Sequence, residues 1–464
     1  MSKKISSILT VILIASLCLT LLVSCGSSRV SFFDYSDKNL GPIGQLVRLM
    51  HQWIGNYGWT VVVFTVFLKL ILLPLDFWQR YSARKSSAKM QKIQPLMEAI
   101  DKRYGANTPR ANEEKQKLYK KQGYSMLSSC LPMIISMVVF FVMFAGLRNY
   151  STYSTITTFE KLSNEYYRVY SEQIVGKGGD IANTFQSTYD AEYQAQIQEF
   201  QGKLEEGAEV SDKDKAYAEL SARIKAISAV LENTEYEAQY KEAEALARKT
   251  IQVEYVGGKL PTGVTFTAEG EQFTFGDDEA EGIQERWLWI QNVWQPDTWD
   301  TVMPPYKGGA NANSFSQQID MTGYPSDMGE KTYNIIREEI LKTGTRGAEG
   351  KWNGLMILPF LSIGLSFLSM FVSQLMEKKN RKGEVIQQNQ QQAATNKTMM
   401  ILMPLMMAYF GFIYTGAFAI YMVVNYTLSI ISTVALRIPV EKLVEKNLAK
   451  GDKNDKSSKA SYMR

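Results

Sequence analysis

Three residues in this chain stand where their chemistry could matter: a lysine inside an apolar run, the only histidine, and a cysteine that closes the first apolar run. Lys69 lies in WTVVVFTVFLKLILLPLDFW, residues 59–78, a stretch long enough to cross a bilayer at about 1.5 Å per residue. A charge at the middle of a spanning helix costs roughly 2.5–3.5 kcal/mol on insertion scales, so it marks a functional site by default. Two plainer readings stand beside that one. The basic end of the helix is about nine residues, or about 13 Å, away, and a lysine stem can snorkel part of that distance. Asp76, two turns on and on a similar face, offers a partner. From this helix alone, function and snorkelling stand level. His51 precedes the same stretch, and an interfacial polar residue is its simplest reading. No Cys/His group has metal-ligand spacing, and no triad can be built except around His51. There is no phosphate loop and no dinucleotide fingerprint. Nothing here points to an enzyme, a metal, a cofactor or a nucleotide.

The elements that must position Lys69 emerge from hydropathy and charge. The chain has 464 residues, 21% of them charged. Apolar blocks lie at 59–78, 126–147, 354–376 and 398–436. The last is too long for one span, and Tyr414-Thr415-Gly416 offers a turn within it. The net charge of +4 is unevenly placed: 148–351 holds 20 Lys/Arg against 34 Asp/Glu, a net of −14, which leaves +18 elsewhere. Basic flanks follow Trp78 (QRYSARKSSAKMQK), Leu375 (MEKKNRK) and Leu436 (Arg437, Lys442, Lys446, Lys450, Lys453). By the positive-inside rule these stay cytoplasmic and the acidic block falls outside. Lys3 and Lys4 precede ILTVILIASLCLTLLV, which ends in Ser24-Cys25-Gly26 and reads as an export signal over residues 1–25. Leu22-Val23-Ser24-Cys25 resembles a bacterial lipobox, which would make the mature chain a lipoprotein carrying its lipid on Cys25; an uncleaved anchor helix is the alternative. The fold expected is an all-α polytopic membrane protein: a five-helix transmembrane bundle, a cytoplasmic helical hairpin and an α+β extracytoplasmic insertion. Its parts are an outer segment and first span (26–78), the hairpin (79–125), a second span (126–147), the insertion (148–351), a third span (352–376), a cytoplasmic loop (377–397), spans at 398–415 and 416–436, and a cytoplasmic tail (437–464). The mature N-terminus lies outside and the C-terminus inside.

Residues 79–125 predict two helices joined at Gly105-Ala106-Asn107-Thr108-Pro109. Met90, Ile93, Met97, Ile100 and Tyr104 recur at helical spacing and form one apolar stripe, with Pro95 expected to kink it. Residues 76–125 carry 12 basic against 5 acidic side chains. Such a hairpin could rest on anionic headgroups, at about 1 kcal/mol per basic side chain near the surface, or touch ribosomal RNA or a targeting factor. A solvated face explains most of the charge. The stripe is more specific, because methionine suits adaptable contacts with varied apolar partners, which makes Met90, Ile93 and Met97 candidate contact residues.

NYGWTVVVFTVFLKLILLPLDFWQ, MQKIQPLMEAIDKRYG, KLYKKQGYSMLSSCLPMIIS and TMMILMPLMMAYFGFIYTGAFAIYMVVNYTLSII together resemble the YidC/Alb3-type membrane protein insertases. Pro404, Gly416, Tyr421 and Asn425 fall in family positions, and RWLWIQNVWQPD is similar to the segment ahead of the third span. The resemblance covers about half the chain, including all the expected spans. It implies five helices around a polar groove open to the cytoplasm and to lipid, with a positive residue of the first span facing it at the position of Lys69. Arginine is usual there. Ser136 replaces a frequent glutamine, Met422 a frequent tryptophan, and Tyr124-Ser125 an Asn-Pro pair. Independently, polar residues lie inside the apolar blocks: Thr65, Lys69, Ser128, Ser129, Ser136, Tyr421 and Asn425. Ser362, Ser366, Ser369 and Ser373 fall on one face, where close packing through small residues is the plainer account. The candidate groove residues are Lys69, Thr65, Ser136, Tyr421 and Asn425. The resemblance implies an insertase moving client spans from cytoplasm to bilayer of the bacterial cell membrane, with nascent membrane proteins and membrane lipid as partners and the Sec translocon and ribosome as further candidates. A small-solute transporter and an assembly factor acting through its outer domain are the alternatives.

In the insertion, roughly 186–249 reads as helix, with Leu220, Ile224, Ile227 and Leu231 as an apolar stripe of a helical hairpin or short coiled coil. IQVEYV (251–256) and GVTFTAEGEQFTF read as strands, the latter paired around Glu269-Gly270. Trp287, Trp289, Trp294 and Trp299 suggest an interfacial belt, as does Trp352. Residues 301–350, rich in Gly, Pro and Asn, predict loop, and GDKNDKSSKASYMR predicts a disordered tail.

Overall fold

The structure, a computed structural model, describes residues 30–31, 37–105, 108–121, 126–204, 208–262, 267–268, 271–272, 274–290, 293, 306–307, 315–321, 328–342, 354, 357–378 and 416–452. In chain order these form β1 (Val30–Ser31), α1 (Gly41–Ile54), α2 (Tyr57–Tyr104), α3 (Pro109–Lys121), α4 (Met126–Gly176), α5 (Gly179–Gln201), α6 (Asp212–Leu231), α7 (Glu237–Val256), β2 (Gly258–Pro261), β3 (Thr267–Ala268), β4 (Glu271–Gln272), β5 (Phe275–Ala280), α8 (Phe315–Gln318), β6 (Ile319–Asp320), α9 (Met328–Lys342), α10 (Ile357–Lys378) and α11 (Gly416–Asp452). They fall into two compact units. One takes the described residues of 53–145 and 355–464, the other those of 26–52 and 146–354.

In the first unit, α2 starts where the Asn56 side chain accepts the Trp59 N–H at 3.2 Å, and it ends at Gly105, whose φ of 80° suits the absence of a side chain. The helix continues past Trp78. Residues 79–94 contain no Gly or Pro, so the span and the first hairpin helix are one rod of 48 residues. Pro74 and Pro95 sit inside it without ending it. Helix α3 is capped by Thr108, whose hydroxyl accepts the Ala111 N–H at 3.2 Å, and folds back on α2. Ala111 and Leu118 bury against this seam with Ile93, Lys115 pairs Asp101 at 2.6 Å, and the Tyr119 hydroxyl donates to the Met97 sulfur at 3.3 Å. The stripe therefore packs within the hairpin, with Ile93 1% exposed. Helix α3 thus covers Ile93, while Met97 is half-buried. The Met90 side chain lies outside the described residues.

Three helices of the described residues are long and apolar enough to cross a membrane: Tyr57–Ala88, Ile357–Leu375 and Gly416–Asn447. The apolar block 126–147 is the first part of α4; 398–415 lies outside the described residues. Helix α11 packs against both α2 and α10, and Phe144 of α4 meets Phe418 edge-on at 5.4 Å. Ala417 through Met422 are all buried, so the start of α11 is surrounded by helices. Outward, Leu70, Ile71, Phe360, Phe371 and Ile431 are each more than half exposed. An apolar skin of that extent is unsuited to water and suited to lipid.

The second unit is built on a core of α4 through α7 and α9. Phe159, Leu162, Tyr167 and Ile174 of α4 meet Ile224 and Ile227 of α6, Ala247 and Ile251 of α7, and Tyr333 and Ile336 of α9. Phe315 stacks on Tyr333 with ring centres 4.2 Å apart. Three sequence readings change here. The helical region of 186–249 resolves into three helices, because Gly202 closes α5 and the 3-10 turn Thr234–Tyr236 separates α6 from α7. IQVEYV forms the last six residues of α7, nearly two turns, and is not a strand. Leu246, Ala247, Thr250 and Ile251 bury at helical spacing, and Gly257, at a φ of 87°, ends the helix. Within 301–350, read as loop, α9 runs for 15 residues, with Tyr333, Ile336 and Ile340 on its buried face. The β3–β4 hairpin forms as read, pairing Thr267 with Gln272 and Ala268 with Glu271, while β2 pairs antiparallel with β5. β1 adds in parallel to β6. Helix α1 docks on α4, where Gly146 admits the Ile43 side chain; a Cβ there would clash with it. Trp287 is buried and Trp289 about half exposed, its indole N–H donating to the Gly354 carbonyl at 3.1 Å. Trp294, Trp299, Trp352, the tail beyond 452 and residues 1–25, read as an export signal ending in Cys25, lie outside the described residues.

Candidate functional site

The buried face of α2 reads Tyr57, Val61, Phe64, Thr65, then Lys69 and Asp76, which is helical spacing throughout. Thr65 is 2% exposed, and its hydroxyl donates to the Val61 carbonyl at 2.6 Å, so it is satisfied within its own helix. The Lys69 ammonium lies 2.8 Å from an Asp76 carboxylate oxygen and donates to the Ser429 hydroxyl of α11 at 3.2 Å. The side chains of Lys69 and Asp76 are 16% and 18% exposed. The second plain reading of the lysine is therefore the geometry observed: the cation is paired with Asp76, and both side chains keep partial exposure.

The facing surface comes from α11. Tyr421, Asn425 and Ser429 follow one another at intervals of four and so share a face. Tyr421 is buried and Asn425 half-buried. Ser432 and Thr433 continue the polar run, each hydroxyl bonded to a carbonyl one turn back. On α10, Ser362 and Ser366 are both 2% exposed, and Ser362 donates to the Pro359 carbonyl at 2.8 Å. Ser369 and Ser373 are half-buried. Thr65, Lys69 and the Tyr421–Asn425 face are thus on packed neighbouring helices. Ser136 lies on α4 with its side chain outside the described residues. Sequence reasoning missed Ser429, although its signal was present: it sits four residues beyond Asn425.

Towards the basic end, Arg84 of α2 pairs Glu441 of α11 at 2.7 Å, and the Asn447 amide donates to the Tyr81 hydroxyl at 3.0 Å. Lys69 to Arg84 and Ser429 to Glu441 advance in the same sense, so α2 and α11 run parallel. A second cluster lies in the other unit. His51 Nδ1 is 2.5 Å from the Tyr150 hydroxyl and Nε2 is 2.9 Å from Glu285. It ties α1 to α4 and to the segment after β5, more than the isolated interfacial residue expected. No group of His, Cys, Asp and Glu among the described residues could hold a metal ion.

The family model described as "60Kd inner membrane protein" matches residues 49–175 and 208–442. The protein named membrane protein insertase YidC of Caldanaerobacter subterraneus subsp. tengcongensis is 38% identical over 113 residues, 24% of this chain and 53% of that protein. Proteins of the same name from Campylobacter jejuni and Stenotrophomonas maltophilia are 34% and 35% identical over 108 and 116 residues, 23% and 24% of this chain and 20% of each relative. The matched part thus spans about half the length of the first relative and a fifth of the other two. No solved structure matches. With its family model matching well over half of its residues, this apolar-helical chain belongs to the 60Kd inner membrane protein family, the YidC/Alb3-type proteins of the bacterial membrane.

Proposed function

We propose that the protein is a membrane protein insertase, and that the polar face around Lys69, Asp76, Ser429 and Asn425 receives the short polar outer segment of a client while the client's apolar helix moves along the lipid-facing side. The observation that carries this is an ammonium–carboxylate pair held inside a spanning helix and completed by the polar groups of its neighbour. Such groups replace part of the hydration that a client's polar segment loses on crossing. Apolar burial of the client helix in lipid supplies the drive at about 25 cal/mol per Å², with no nucleotide required. The names of the relatives support the reading.

In this reading five helices form the bundle, with 126–147 and 398–415 as the second and fourth. The N-terminus lies outside and the C-terminus inside. The parallel run of α2 and α11 supports this topology, because both then carry their basic ends to the cytoplasm. Cys25 bears a lipid, and nascent membrane proteins are the clients, with the ribosome and the Sec translocon as further partners. Ser136 completes the polar face. The experiment is insertion of single-span clients in a strain depleted of its own insertase. Lys69→Arg should preserve insertion, and Lys69→Ala should impair clients with acidic outer tails. Equal insertion by the parental protein and Lys69→Ala would remove Lys69 from the mechanism.

A further inference from the structure

Lys69 does not offer a bare charge. Its ammonium has three N–H donors; one goes to the Ser429 hydroxyl, while the Asp76 carboxylate lies 2.8 Å away as an ion pair without hydrogen-bond geometry. Asp76 is seven residues along the same helix, close to two full turns, so the long lysine stem reaches it without leaving the buried face. Pairing lowers the cost of holding either charge within a span. It also leaves the site nearly neutral, so little long-range pull acts on a client carboxylate.

The pair is nonetheless built to exchange. Lysine is a compact point charge with rotatable donors, which holds a carboxylate without the bidentate fork of arginine. Both side chains retain some exposure, and Ser429 keeps one contact to the ammonium while its acid partner changes. An incoming carboxylate can replace Asp76 on the ammonium one for one; the displaced Asp76, 18% exposed, then loses its partner, and that cost sets how strongly the exchange discriminates among clients.

We propose that Asp76 is the displaceable internal counter-ion of Lys69 and sets client charge selectivity: acidic polar segments bind by exchanging for Asp76, and basic ones are tolerated because Asp76 keeps the site neutral. This rests on the insertase reading. The test uses the full-length protein in liposomes of defined lipid, with one single-span client carrying either two aspartates or two lysines in its outer tail. Asp76→Asn leaves the site with a net positive charge, and the ratio of acidic to basic client inserted should rise about tenfold. Asp76→Glu, which keeps the counter-ion, should return the parental ratio even if Asp76→Asn reconstitutes poorly. A ratio unchanged by Asp76→Asn, while the parental protein inserts both clients, overturns the counter-ion role alone. Failure of the parental protein to insert either client overturns this role together with the insertase reading.

Discussion

Removing Lys69 perturbs two things at once, and the structure separates them. Lys69→Leu deletes the cation but strands Asp76, a carboxylate only 18% exposed inside a spanning helix. Breaking a fully buried pair by deleting one partner costs about 3–5 kcal/mol, much of it the charge left behind. Partial exposure of both groups lowers this to about 2–3 kcal/mol. At 1.4 kcal/mol per tenfold, the folding equilibrium falls roughly 30- to 140-fold. Replacing both partners, Lys69→Leu with Asp76→Leu, removes the stranded charge, and buried pairs replaced by apolar groups are often neutral or more stable. Unfolding of the purified protein in mixed micelles, followed by helical circular dichroism against denaturant, measures the cycle. With each single variant costing about 2–3 kcal/mol and the double variant near the parent, the expected coupling is about 4–6 kcal/mol. Single variants that each lose less than about 0.5 kcal/mol, or that simply add, would refute a pair that matters energetically. The cycle also governs how insertion data are read, because a loss with Lys69→Ala alone mixes a missing client contact with a damaged helix. The double variant isolates the contact.

Two further outcomes follow from the second unit. Gly146→Val places side-chain atoms where Ile43 packs; such overpacking costs about 1–3 kcal/mol, so α1 should exchange its amide hydrogens faster while the α6 core stays protected. Unchanged exchange in α1 would contradict its docking on α4. Burial pushes the phenols of Tyr166, Tyr167, Tyr170 and Tyr333 above the usual tyrosine range. The protonated form is the one the fold favours, so this contribution is complete below about pH 10 and is lost as pH rises beyond it. Their phenolate absorbance should appear only together with loss of helical dichroism. Reversible titration of all 25 tyrosines before the dichroism changes would contradict the buried core.

Periodicity and charge made the spanning helices legible, because a long apolar run flanked by lysines has few other readings. Hydropathy also placed Lys69 and its two competing explanations, but not the choice between them. That depends on Ser429, 360 positions away in sequence, and on which way a flexible stem turns. Boundaries were the weakest part. Trp78 ended the apolar run but not the helix, since QRYSARKSSAKM has nothing to stop one. IQVEYV looked like strand because its β-branched residues are read alone, whereas Leu246 to Ile251 bury at helical spacing into it. Helix α9 was hidden because Gly and Pro surround it, although Tyr333, Ile336 and Ile340 carry its period. The hairpin stripe was visible, but its partner, Leu118 with Ala111, decides that it faces inward.

The most direct measurement of the central claim is site-specific photocrosslinking of the full-length protein to a ribosome-stalled single-span client, with the probe at Asn425 on the polar face or at Leu70, 64% exposed on the apolar side. The account predicts that the client's polar tail crosslinks to position 425 and its apolar helix to position 70. Tail adducts at 70 with none at 425 would contradict it.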